Sequence, residues 1–413
     1  MKQLCFLLFP LALGCGASDE AEPLAPRELH RVPGCESIDP ARCDVRLPEC
    51  QQRLLDMAAC LRGESVLESP AVQVLSEADY ASYLTQRLTE PMQNPNLEQI
   101  EIGFNLLGLI ERGTLSAQAR AEENAKFAWG VYRDDTKDIL IIDHGDSFEA
   151  EAVSPTLVHE FVHALQDRDL DLTAFEAQAN STDESWTYSA MIEGEARLHE
   201  TRYAVAMLGL DPTEVNLTAH FQNALVHDEQ RLLDEASPYL ASYKYFPYEW
   251  GSRYMHFTWL AGGMDAVLGR FAAPPTMTHT LLASTMDAAD SDITPSDLAL
   301  AAAPAEWTQI ARRTLGAWGT YLAFEKAART LASARAMALA WRGDSLAIYA
   351  SSETQPHTAV LWRMEFVDEA MATQVRALAE QIVGVANVHQ KGPSVIIAKT
   401  DGSLRLDWAF QFE

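Results

Sequence analysis

His159-Glu160-Phe161-Val162-His163 constrains this chain more than any other stretch. On a helix, residues four apart stack on one face, so both imidazoles can turn to a single metal ion. Glu160 then lies within reach of a metal-activated water as a general base. Two histidines at this spacing also occur in ordinary cores and on ordinary surfaces, so the flanks decide. Upstream, Asp138-Ile139-Leu140-Ile141-Ile142-Asp143 is a short β-branched run bounded by charges, and it reads as a buried strand. A polar loop with Gly145 follows. Ser154-Pro155 then reads as an N-cap with proline in the first helical position, where its missing N–H costs nothing. Val158, Phe161, Val162 and Leu165 supply an apolar face, which predicts a helix over about 155–167.

A catalytic zinc takes three protein ligands and leaves one position for water or substrate. The next helical segment, 185–209, holds Met191-Ile192-Glu193-Gly194-Glu195-Ala196. Residues two apart on a helix point roughly opposite ways, so only one of Glu193 and Glu195 can face the metal. Gly194 and Ala196 are small enough to let this helix approach the first one closely. A solvated helix face is the ordinary fate of such acids. Asp167, one turn after His163, can accept that imidazole's second N–H and set its tautomer, or be a surface acid at a helix end.

The run Thr156-Leu157-Val158-His159-Glu160-Phe161-Val162-His163-Ala164-Leu165-Gln166-Asp167, followed by Glu193-Gly194-Glu195-Ala196, resembles the gluzincin metallopeptidases. More closely, it looks like a group of bacterial neutral zinc metallopeptidases with an HExxHALQDQ-like helix and an EGDA or EGEA helix. Phe246-Pro247-Tyr248-Glu249-Trp250-Gly251 resembles their PYxxG segment and the PYEKG segment of aminopeptidase N-type gluzincins. Further likenesses are Trp259-Leu260-Ala261-Gly262-Gly263, Pro274-Pro275 and Trp341-Arg342-Gly343-Asp344. The resemblance implies one Zn2+ held by His159, His163 and Glu193, with Glu160 as general base and Tyr248 as donor to the oxyanion. It implies a peptide or protein substrate. A preplaced phenol beside a metal is worth a few kcal/mol of barrier, although taken alone Tyr248 reads as an ordinary half-buried tyrosine. Pro247 would start a helix with Tyr248 in its first turn. One departure stands at Met277-Thr278-His279-Thr280, where the relatives tend to carry Thr-Glu-Gln and a later His-Pro.

Residues 1–14 pair a sparse n-region with an apolar run too short to span a bilayer. With Leu13-Gly14-Cys15 they resemble a bacterial lipoprotein signal, which implies lipidation at Cys15, although Ala12 stands where leucine is favoured. A plain secretory signal is the rival, and both place the chain outside the cytoplasm. Membrane association is expected only through that lipid. Cys35, Cys43, Cys50 and Cys60 form an even set in one short region, read as two disulfides with three possible pairings. A zinc knot of four thiolates would need tighter paired spacings. The net charge of −28, with no basic run, argues against nucleic acid or anionic lipid as partner.

The expected organisation is a signal over 1–14, a flexible tether over 15–34 and a cysteine-stapled segment over 35–70. A zincin-like catalytic domain over 71–290 follows, with a short sheet beside the HExxH helix. Last comes a C-terminal helical and α+β region over 300–413. The fold class is α+β, mostly helical. Helical signals dominate 76–127, and 287–305 reads as a linker. Within 213–236, His220 and His227 share a helix face but are two turns apart, too far for one ion. A helix-like stretch over 306–337 precedes strands near 346–350 and 359–367, a helix near 368–383, and strands near 385–390, 394–399 and 404–410. Two rivals to peptide hydrolysis are a surface binding or assembly protein that kept the site without turnover, and hydrolysis of a non-peptide amide or ester.

Overall fold

The computed structural model describes residues 34–66, 68–89, 94–145, 148–283, 298–328, 330–402 and 406–410. The signal, Cys15, almost all of the tether and most of the 287–305 linker lie outside these residues. The fold is a mostly helical α+β arrangement with two sheets.

The first part runs α1 (Pro48–Arg62), β1 (Val72–Ser76), α2 (Glu77–Thr89), α3 (Leu97–Leu106), α4 (Ala117–Phe127), β2 (Gly130–Arg133) and β3 (Asp138–Asp143). Strand β3 is the centre of a three-stranded sheet, parallel to β1 and antiparallel to β2. Its isoleucines and leucine are buried, as expected of a run apolar on both faces. The four cysteines pair as Cys35–Cys60 and Cys43–Cys50, fastening the segment before α1 to that helix.

Helix α5 (Ser154–Leu170) carries the HExxH motif and is buried over nearly its whole length. Leu157, Val158, Phe161, Val162 and Leu165 pack in one core with Leu54, Leu55 and Met57 of α1 and with Ile139 and Ile141 of β3. Each such fully buried side chain contributes about 1.5–3 kcal/mol. Ser154 does not cap α5 as expected. Its hydroxyl bonds the Glu151 and Cys43 carbonyls (2.9 and 3.1 Å) and accepts the Cys43 N–H (3.3 Å), tying the helix start to the disulfide-linked segment.

After the short α6 (Leu172–Glu176), α7 (Thr182–Met207) runs for 26 residues, capped by the Ser181 hydroxyl on the Glu184 N–H. Then come α8 (Leu217–Leu232), α9 (Pro238–Tyr245), a π-helical turn (Phe246–Trp250) and α10 (Gly251–Ala272), which is broken at Gly262-Gly263. The small residues of α7 divide their roles differently from expectation. Ala196 lies in the core shared with α5, whereas Gly194 meets Gly251 of α10. A Cβ on Gly194 would stand 2.3 Å from the Gly251 carbonyl carbon, and one on Gly251 would stand 2.0 Å from the Ala190 oxygen. The two backbones touch, which only glycine permits.

The C-terminal part begins after α11 (Thr278–Ala283) with β4 (Trp307–Arg313), α12 (Gly316–Phe324) and α13 (Leu331–Ala340). The expected helix over 306–337 is therefore an edge strand and two helices. Strand β4 forms because β5 (Trp341–Ser351) offers it an antiparallel partner, a non-local interaction that overrides local preference. With β6 (Thr358–Phe366), α14 (Glu369–Val383), β7 (Val388–Lys391) and β8 (Ser394–Thr400), the sheet order is β4-β5-β6-β8-β7, all antiparallel. Of the strand expected near 404–410, residues 404–405 lie outside the described residues and the described end is a 3-10 turn at Asp407–Phe410. The largest core joins Trp186 of α7 and Trp250 to Trp318 of α12 and to Trp341 and Trp362 of the sheet. Asp344 closes that junction, accepting from the Trp341 and Trp362 indoles and from the N–H groups of Leu315 and Gly316.

Asp183, in the first turn of α7, accepts from the N–H (3.2 Å) and hydroxyl of Thr278, which itself takes the Trp318 N–H (2.9 Å). The segment that departs from the gluzincin-like pattern thus anchors the helix bearing Glu193. Burial pushes the Asp183 carboxyl up to about 7 from its ordinary 3.8. Between those values the folded chain holds a proton that the unfolded chain has lost, so this contribution to stability is full below about 4 and vanishes as pH rises through 7. Asp183→Asn cannot ionise, and its melting temperature relative to the wild type should rise between pH 5 and pH 8. Gly251→Ala should destabilise the fold by about 3 kcal/mol or more in thermal or urea unfolding.

Candidate metal centre

Helix α5 presents His159 and His163 from one face, and α7 crosses it so that Glu193 points at both. His159 Nε2 lies 3.0 Å from His163 Nε2 and 3.1 Å from Glu193 Oε2, and His163 Nε2 lies 3.3 Å from the same oxygen. Three donor atoms around a tetrahedral zinc at about 2.0–2.2 Å stand about 3.4 Å apart, so this triangle has the size the ion requires. His159, His163 and Glu193 can hold a metal ion, and among the described residues they are the one group of three or more His, Cys, Asp or Glu side chains that does. Glu195 points away into a buried ion pair with Arg62 (2.8 Å), as two-residue spacing on a helix requires.

Electrostatics favour a cation here. Burial opposes charge on His159, yet hydrogen bonds to Glu193 and Glu200 and the charge of Glu160 raise its pKa to about 10. Burial likewise opposes charge on Glu193, but the two imidazoles hold its carboxyl well below the usual range. Two facing imidazole nitrogens and a carboxylate need positive charge between them.

The outward ring nitrogens are held as well. His159 Nδ1 meets Glu200 Oε2 at 3.2 Å, and Glu200 is paired with Arg197 at 2.9 Å. His163 Nδ1 meets Gln166 Oε1 at 2.8 Å. This corrects the expectation for Asp167, which does not reach His163. Asp167 instead accepts from the Tyr132 hydroxyl (2.7 Å), the Leu172 N–H (3.1 Å) and Lys137, tying the β2–β3 hairpin to the end of α5. The residue four beyond His163 turns to the β2–β3 hairpin, while the residue three beyond it turns back to the ring.

Glu160 is buried beside the ligands, and its Oε2 accepts the Tyr132 N–H of the edge strand β2 (2.7 Å). Gly130 makes that possible, since a Cβ there would stand 2.7 Å from Glu160 Oε1. Burial raises the Glu160 pKa. Tyr248 is half-buried, with its ring stacked on His159 at 5.9 Å between centroids. It comes from the π-helical turn rather than from the start of a helix at Pro247. Burial and the neighbouring carboxylates of Glu193 and Glu160 push the phenol well above 10, so it stays a donor. His220 and His227 face the Phe221 ring and Asp228 and take no part in the cluster. Gln166 and Glu200 were missed by sequence reasoning. Gln166 lies at helical spacing from His163, a signal that was present, but nothing local showed which way either side chain turns.

Residues 306–407 match a domain of unknown function, DUF8575. That stretch spans β4 to β8 and contains none of the metal-facing residues. The chain matches no curated protein and no solved structure.

Purified protein should take up one equivalent of zinc by metal analysis. His163→Ala should weaken uptake by more than about 100-fold, since losing the positioning partner of a ligand alone costs 10–100-fold.

Proposed function

We propose that the chain is a zinc-dependent peptidase of gluzincin type. The observation that carries this reading is the triangle of 3.0–3.3 Å formed by two imidazole nitrogens and one carboxylate oxygen, a donor set suited to catalytic zinc. His159, His163 and Glu193 would hold the zinc, which when bound would supply Lewis acidity and an activated water at near-neutral pH.

The protein's own residues do the rest. Glu160, held against the edge strand by the Tyr132 N–H, takes a proton from the attacking water and passes it to the leaving amine. Tyr248, kept protonated beside two carboxylates, donates to the oxyanion as the carbonyl carbon turns tetrahedral. Glu200 and Gln166 receive the Nδ1 hydrogens of the two histidines, leaving each Nε2 lone pair directed inward.

On this reading the substrate is a peptide or protein, and the acidic chain makes nucleic acid an unsuitable partner. The two disulfides fit an oxidising compartment outside the cytoplasm. No helix among the described residues is long and apolar enough to cross a membrane. We assign membrane attachment, if the leader is of lipoprotein type, to Cys15.

Glu160→Gln should retain zinc but lose at least about 10^2–10^4-fold in kcat/KM on a peptide library. Tyr248→Phe should lose about 10^2–10^3-fold, chiefly in kcat. Turnover preserved in Glu160→Gln refutes the assigned base. Zinc bound without cleavage of any peptide by the wild type refutes the peptidase reading.

A further inference from the structure

The metal-facing tautomer of His163 is set by a chain of side chains that ends in the disulfide-stapled segment. Gln166 has two faces. Its Nε2 lies 2.8 Å from Glu195 Oε2 and 3.0 Å from the Ile192 carbonyl oxygen. A carboxylate and a carbonyl only accept, so the NH2 group must face them and the amide oxygen must face His163. That oxygen accepts in turn, so Nδ1 of His163 carries the hydrogen and Nε2 keeps the lone pair. An amide turned the other way would oppose two acceptors with an oxygen and offer the imidazole a donor.

What fixes Glu195 is Arg62, the last residue of α1 and 133 positions away in sequence. Its guanidinium is fully buried, with Nε on Glu195 Oε1 (2.8 Å) and Nη1 on Glu64 (2.6 Å) and Asp169 (3.0 Å). Arg62 stands two residues beyond Cys60, whose disulfide to Cys35 fastens the end of α1. The helix itself is packed against the back of α5. The guanidinium meets Glu195 through Nε alone, while its Nη1 is tied to Glu64 and Asp169, so the planar group is itself held in place as it holds the carboxylate.

We propose that Arg62 is a positioning residue of the metal centre, acting through Glu195 and Gln166 to present His163 Nε2 to the ion. The cysteine-stapled segment is thereby part of the catalytic unit and not only a brace for it. The inference rests on the metal-centre reading above. Removing Arg62 leaves the Glu195 carboxylate without its counter-charge or its fixed place, and frees the Gln166 amide to turn.

The test uses the full chain with disulfides formed. Arg62→Met keeps much of the volume and removes the fork; Arg62→Met combined with Glu195→Leu removes both buried charges and so avoids an unpaired one. Zinc Kd is measured by competition with a chromophoric chelator, and the Co2+-substituted proteins are compared by their visible spectra. Both variants should bind zinc about 10–100-fold more weakly, with shifted cobalt bands, while the double variant recovers the melting temperature of the metal-free protein. In the zinc-loaded wild type, nitrogen-15 spectra should show His163 ligated through Nε2 with Nδ1 protonated, a readout that no folding defect can obscure. A zinc Kd within twofold of wild type and an unchanged cobalt spectrum in either folded variant would overturn the proposal, as would ligation through Nδ1. A wild type that takes up no zinc sinks the metal-centre reading and this inference together.

Discussion

Two imidazole nitrogens 3.0 Å apart, with a carboxylate oxygen closing the triangle, form the contact on which the rest of this structure turns. Placing such groups together inside a protein is unfavourable unless protons or a cation lie between them. The neighbouring carboxylates drive the His159 imidazole up to about 10, and the two imidazoles hold Glu193 low. A metal ion held by these three side chains could supply the positive charge. The apolar packing around α5 and α7 is what holds three polar groups in so costly an arrangement.

That packing draws on parts of the chain far apart in sequence. α1 braces α5 from behind, β2 reaches Glu160 from the side, and the α7–α10 glycine contact sets how deeply α7 lies. The C-terminal part takes part through the aromatic junction of Trp250, Trp318 and Trp341, and α11 adds the Asp183–Thr278 tie at the start of α7. The region matching DUF8575 touches the helix that bears Glu193, the Thr314 carbonyl accepting the Asp183 N–H at 3.2 Å, and holds none of the three metal-facing residues. Two of the side chains that touch the metal-facing histidines are themselves held by a second partner, Glu200 by Arg197 and Gln166 by Glu195. Metal sites with such second partners lose less to thermal rearrangement of their ligands.

Much of the fold was legible from local pattern. The β3 run, the α5 and α7 helices, the helical 76–127 region and most of the C-terminal strands follow from local apolar pattern and periodicity. Strand β4 was not, because its residues gain strand structure only from pairing with β5. The supposed strand near 404–410 failed for the same reason in reverse, its described end closing into a 3-10 turn. At the site, helical spacing brought His159 and His163 together and made Glu193 and Glu195 alternatives. Which of the two faced inward depended on the rotation of α7, and that rotation follows from Gly194 meeting Gly251 and Ala196 meeting the α5 core.

The sequence by itself determined the ligand types, the helix that bears two of them and the presence of an acid beside them, because these are properties of residue identity at fixed helical offsets. It also determined that four cysteines would pair, since they are an even set in one short region. Tertiary structure alone decided which cysteine met which, that Gln166 and not Asp167 backs His163, and that Glu193 and not Glu195 completes the triangle. Those choices depend on how separate helices rotate and approach, and backbone contact between distant glycines is not encoded in any local spacing.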